Sequence, residues 1–170
     1  IGSDAIKVSK FTEMPTQIIL CDIPLNLTTA FAYVSMNTNH KCLLVDTKDK
    51  ISDLVNNDFS ENEFIFIPTL FVEELAKKYD KIDLMFNHGS FSEMDYTTID
   101  FYLNILLKNG PVRAMYEINS NKNKENTGGH TEVKSSIFPI PKSFKLIKRN
   151  MSFNSYFDHR YLESLYVKIE

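Results

Sequence analysis

Short apolar runs alternating with helix-period segments limit what this chain can fold into more than any other feature. Segments 17–23 (QIILCDI), 40–46 (HKCLLVD), 64–67 (FIFI), 82–86 (IDLMF) and 112–118 (VRAMYEI) are compact and mostly apolar, as strands covered on both faces are. Helical patterns lie between them. Pro24 suits a first helical turn, and Leu27, Ala30, Phe31 and Val34 continue at helical spacing to about Met36. Residues 48–56 read as a short helical or irregular piece, and from Thr69 the residues Phe71, Val72, Leu75, Ala76 and Tyr79 mark an amphipathic helix. The strongest helical period is Ile99, Tyr102, Leu103, Leu106 and Leu107, with Asp95 as its cap and Gly110-Pro111 as its stop. Strands alternating with helices of this length predict right-handed crossovers and a parallel sheet.

The two ends depart from that rhythm. Residues 1–16 carry no clean period, although Ile1-Gly2-Ser3 would suit the exit of a strand into a tight loop. Segments 143–153 and 161–169 alternate as strands, joined by a loop holding Asp158, His159 and Arg160. With no crossover helix between them they should pair antiparallel. The expected architecture is α/β: a mostly parallel sheet closed by an antiparallel C-terminal hairpin, with helices on both faces, in a single domain over residues 1–170. The chain opens on Ile1 without an initiator Met, and is read as the C-terminal part of a longer one.

Composition narrows the classes of partner. A net charge of -3 argues against nucleic-acid binding driven by phosphate contacts. Cys21 and Cys42 sit in apolar runs, where a free thiol behaves as a small hydrophobe, and neither disulfide nor zinc spacing is present. No metal site is expected. No apolar stretch approaches the roughly 20 residues that span a bilayer, so no membrane partner is expected, and a cytoplasmic location is the default.

Polarity changes abruptly after residue 86. Asn87, His88, Gly89, Ser90, Ser92 and Glu93 follow the apolar run directly. In an open parallel sheet the carboxyl end of a strand is where ligands bind, which makes 87–94 a candidate site. Turn-forming and capping chemistry explains the same residue types, but a titratable His and a Glu five residues apart also suit acid–base work. Asp22 closes an earlier strand. A carboxylate there can accept bonds from a ribose diol, or it can serve the start of the helix that follows. The GxGxxG dinucleotide signature is absent. Residues 119–136 form a long polar loop with Gly128, Gly129 and His130, of the length that serves as a lid in compact domains.

Segments 19–35 (ILCDIPLNLTTAFAYVS), 66–75 (FIPTLFVEEL) and 83–106 (DLMFNHGSFSEMDYTTIDFYLNIL) together resemble the sugar O-methyltransferase family, within the class I S-adenosylmethionine-dependent methyltransferases. The resemblance follows the same order through most of the chain, and the N-x-x-S-F-x-E-M pattern from Asn87 to Met94 is its most specific part. It implies a Rossmann-like seven-stranded sheet with an antiparallel last strand. It also implies S-adenosyl-L-methionine as cofactor, Asp22 as the carboxylate on its ribose, and Gly2 as the first glycine of the family's E-I-G-x-G-x-G loop. Here the sequence departs, since no glycine follows closely on Ser3 and Asp4. By position, Ile23 and Asn87 join Gly2 and Asp22 on the cofactor side, with His88 as general base and Glu93 orienting it or the sugar. Ser90, Ser92 and His130 fall on the side of a small-molecule sugar or glycan acceptor.

Two other classes fit parts of the pattern. Asp22 would serve the ribose of a nicotinamide-dependent oxidoreductase equally well, and a chain without its Gly loop could be a non-catalytic interaction domain. The methyl-transfer reading requires Asp22 and the 87–93 corner to share one rim of a single sheet.

Overall fold

The computed structural model describes residues 2–54, 61–121, 133–152 and 161–169. It divides into two compact units, Ile1–Lys78 and Tyr79–Glu170. The single sheet expected to carry both Asp22 and the 87–93 corner is not what the described strands form: they hydrogen-bond in two sets, a three-stranded set in the first unit, where Asp22 ends its strand, and a four-stranded set in the second, where His88 ends its own.

In the first unit α1 (Ser3–Phe11) leads to β1 (Gln17–Asp22), α2 (Pro24–Asn37), β2 (Lys41–Leu44), α3 (Asp49–Ser52), β3 (Glu63–Pro68) and α4 (Val72–Lys78). The order β1-β3-β2 is parallel throughout, with Gln17 opposite Glu63 and Asp22 opposite Pro68. As the middle strand, β3 buries Phe64, Ile65, Phe66 and Ile67 almost completely, which is why that run is apolar without alternation. Phe64 and Phe66 pack with Leu27, Ala30 and Val34 of α2, and the Phe31 ring meets Phe66 edge-on at 5.2 Å. The stretch without a clean period holds a helix after all. α1 buries only Ile6 and Ser9 while Val8 and Phe11 remain exposed, so no apolar stripe could show in its sequence.

The second unit runs β4 (Ile82–His88), α5 (Tyr96–Leu103), β5 (Val112–Ser120), β6 (Phe144–Met151) and β7 (Tyr161–Lys168). In the order β4-β5-β7-β6, β4 and β5 are parallel, and β7 lies antiparallel between β5 and β6. The mostly parallel α/β architecture with an antiparallel C-terminal pair is therefore as read from the sequence. One sheet face packs Met85, Met115 and Tyr166 with Ile99, Leu103 and Leu107. Among the described residues no helix is long and apolar enough to cross a membrane.

Asp95 caps α5. Its Oδ1 accepts from the Thr98 N–H at 2.9 Å and its Oδ2 from the Thr98 hydroxyl at 2.8 Å. The Thr98 N–H, and then its hydroxyl, hold the carboxyl below its ordinary value of 3.8. A depressed native pKa means that the stabilisation is present above that ordinary value and is lost as pH falls through the native one. An Asp95→Asn variant should therefore show a shallower fall of melting temperature than the parent from about pH 5 to about pH 2. Identical slopes would remove the charged cap.

Candidate functional site

In the first unit, Asp22 ends β1 and Ile23 caps α2 in an extended conformation with no side-chain cap bond. Pro24 takes the first helical turn, where its missing N–H costs nothing. The Asp22 Oδ1 accepts from the Ile23 N–H at 2.7 Å and from Asn26 Nδ2 at 3.2 Å. Both bonds fall on one oxygen, so Oδ2 has no partner among the described residues. The carboxylate thus serves the helix start and keeps acceptor capacity for a ligand. Ile23 is exposed beside it. Gly2 is buried at the N-cap of α1 with φ +73°, and a Cβ there would meet Val34 Cγ2 at 3.2 Å and Tyr33 Cδ1 at 3.4 Å. Both the backbone conformation and the close approach to α2 favour glycine.

In the second unit the carboxyl end of β4 is tied to β5 and to the turn that follows. Strand alternation sends Asn87 and His88 to opposite faces. Asn87 is buried and His88 is exposed. The Asn87 carboxamide donates from Nδ2 to Ser90 Oγ at 2.6 Å, while its Oδ1 accepts from the Phe91 N–H at 3.3 Å and from Asn119 Nδ2 at 3.0 Å. Ser92 is buried, with its N–H on Asn119 Oδ1 at 3.2 Å and its hydroxyl on the Gly89 carbonyl at 2.8 Å. Gly89, at φ +79°, takes the left-handed conformation that ends the strand, and its N–H reaches the Ile118 carbonyl at 2.9 Å. Ser90 and Glu93 stay at the surface of the short 3-10 turn Phe91–Glu93, and the Phe86 ring lies 6.2 Å from the His88 ring.

Three residues that the sequence reading passed over complete this corner. Glu117 and Asn119 on β5 and Ser135 after it are fully or almost fully buried. Asn119 Nδ2 also donates to Glu117 Oε2 at 2.9 Å, and Ser135 Oγ donates to Glu117 Oε1 at 2.7 Å. A signal was available: Met115, Glu117 and Asn119 share a parity in an apolar strand, so one face of β5 had to bury a carboxylate. On the opposite face, burial and the Glu163 carboxylate push the Tyr116 hydroxyl up to about 12, so it is protonated at neutral pH. The structure thus joins Asn87, Ser90 and Ser92 in one network, and His88 and Glu93 are exposed at the surface. Gly2, Asp22 and Ile23 belong to the first unit. His130 lies outside the described residues, as do Asp158, His159 and Arg160. Among the described residues no group of three or more metal-ligating side chains assembles.

No protein-family model matches the chain, and no curated protein matches it. Solved structures do. An rRNA methylase from Escherichia coli is 14% identical with a TM-score of 0.44, over 98% of this chain and 63% of that one. The PH0226 protein from Pyrococcus horikoshii OT3 is 10% identical with a TM-score of 0.42, over 98% and 89%. TrmK from M. capricolum, in complex with S-adenosyl-homocysteine, is 12% identical with a TM-score of 0.37, over 99% and 68%. The chain thus spans less than two thirds of the length of the first of these.

Proposed function

We propose that the protein is an S-adenosylmethionine-dependent O-methyltransferase whose acceptor is a hydroxyl of a sugar or sugar-containing compound. The corner at the end of β4 carries this reading. Of the residues that make up the N-x-x-S-F-x-E-M resemblance, Asn87 and Ser90 bond to each other, Phe91 is buried and Met94 packs against the same core. The Glu93 N–H closes the turn on the Ser90 carbonyl at 3.2 Å, while its exposed carboxylate has no bond among the described residues. Four side chains of the pattern build the turn, and the fifth is free to meet a ligand.

On the cofactor side the support comes from Asp22, whose Oδ2 is available for a ribose hydroxyl. S-adenosyl-L-methionine, when bound, supplies an electrophilic methyl group on a sulfonium. The chain has to hold the acceptor in line with that methyl and take up the hydroxyl proton as the new C–O bond forms and the S–C bond breaks. His88 receives the proton at a ring nitrogen, as an imidazole general base does. Glu93 accepts a bond from the acceptor or from the imidazole, and Ser90 faces the acceptor. Asn87 and Ser92 hold the turn from inside, while His130 is assigned to the acceptor side by sequence position alone.

The test is titration calorimetry of the intact protein with S-adenosylmethionine and with S-adenosyl-homocysteine, followed by Asp22→Ala. Both ligands should bind, and the variant should bind each at least about tenfold more weakly, as expected for loss of a charge-assisted hydrogen bond. Binding of a nicotinamide dinucleotide instead would replace this reading with the oxidoreductase. Binding of neither would leave a non-catalytic domain.

A further inference from the structure

A polar row crosses the four-stranded sheet at the level of the corner. Asn87 is opposite Glu117, Glu117 is opposite Ser164, and Ser164 is opposite Arg149. At its centre the Glu117 side chain has 0% exposure. Burying a carboxylate is costly unless it is bonded. No cation among the described residues bonds it. The Arg149 guanidinium, two strands away, is engaged with Ser164 Oγ at 3.1 Å and with the Tyr166 hydroxyl. The carboxylate is held instead by two neutral donors, Asn119 Nδ2 and Ser135 Oγ.

The Ser92 N–H can only donate, and Glu117 Oε2 and Asn87 Oδ1 both receive the Asn119 amino group, so the three neighbours agree on which way that carboxamide faces. With its amino group drawn to Glu117, the same group reaches Asn87 Oδ1, and its oxygen is left to receive the Ser92 N–H. A flipped Asn119 would set its oxygen against Glu117 Oε2 and Asn87 Oδ1, and its amino group against the Ser92 N–H. Both ends of the turn, Asn87 before it and Ser92 within it, therefore depend on one amide orientation.

We propose that Glu117 is a positioning residue of the candidate site. Acting through Asn119, it locks the turn between Asn87 and Ser92 in a single shape, and so sets where His88 and Glu93 stand. The inference rests on the methyltransferase reading for its activity arm only.

Glu117→Leu removes one of the two acceptors of the Asn119 amino group and leaves that amide held less firmly against the turn. Glu117→Gln is the conservative variant, because Gln can still offer Oε1 to Asn119 while its amino group donates to Ser135 Oγ. In the intact protein, Leu should lower kcat by about 10²-fold, the scale of an ångström-sized misplacement. Gln should retain activity to within about tenfold, and the KM for S-adenosylmethionine should stay within about threefold in both. Exchange of the Ser92 amide hydrogen should accelerate by at least about fivefold in Leu and less in Gln. A Leu variant that is folded, fully active and unchanged in Ser92 exchange overturns the proposal. Equal losses of kcat in Leu and Gln, tracking only their melting temperatures, overturn it too. If the Leu variant does not fold, Ser135→Ala added to Glu117→Gln removes the hydroxyl that orients the Gln, and should give the same signature. If the parent protein transfers no methyl group, the functional reading falls, and Ser92 exchange alone decides on Glu117.

Discussion

Replacing His88 by alanine is expected to lower turnover in methyl transfer by about 10² to 10⁴, the usual contribution of a positioned general base. The loss should fall on kcat, with the affinity for S-adenosylmethionine nearly unchanged, because the ribose contact is assigned to Asp22. Stability should barely move. His88 is exposed at the last position of β4, and its backbone stays in register with Ile118 whatever side chain it carries. Surface substitutions of this kind usually change stability by less than about 0.5 kcal/mol, so lost turnover could not be put down to unfolding. Unchanged turnover in His88→Ala would discard the assignment and leave Glu93 as the remaining exposed titratable group of the corner.

Gly110→Ala should be among the most destabilising single substitutions in the second unit. After Leu103 the helix widens into a π turn, Asn104–Lys108, closed by the Asn109 N–H on the Asn104 carbonyl at 3.1 Å. A Cβ on Gly110 would lie 2.0 Å from the Ile105 carbonyl oxygen and 2.4 Å from that of Leu106. These are backbone atoms of a closed turn and cannot rotate aside as a side chain could. The chain beyond cannot slide either, because the Pro111 carbonyl accepts the Ile82 N–H at 2.9 Å and Val112 is buried in the core. We expect a loss of about 3 kcal/mol or more, at the upper end of overpacking effects. Gly89→Ala is the control. A Cβ there would meet nothing within 4 Å, so only the left-handed backbone resists it, at about 1 to 2 kcal/mol. Denaturant unfolding of the two variants should separate them clearly. Equal losses would mean that the π turn yields and that the packing around Gly110 is looser than its geometry implies.

How far the chain could be read in advance depends on how local each signal is. The apolar block of β3, the Asp95 cap, the Gly110-Pro111 stop and the alternation of the β6–β7 pair are written within a few residues of where they act, and each is where the reading set it. α1 was missed because one buried Ile in nine residues makes no stripe. The site was legible in part. The polar break after residue 86 marked the corner, and Asp22 marked the end of β1.

What the amino-acid order determined by itself is therefore the set of elements, their alternation and the polar turn, since periodicity, capping and chain stops are properties of neighbouring residues. Only the tertiary structure decided that the described strands fall into two hydrogen-bonded sets, that Asn87 turns inward while His88 stays out, and that Asn119 joins Glu117 to Asn87. The reason is register. Asn87 and Asn119 are 32 positions apart, and whether two such side chains meet depends on which residues stand opposite each other across strands, a choice made by the packing of the whole sheet face.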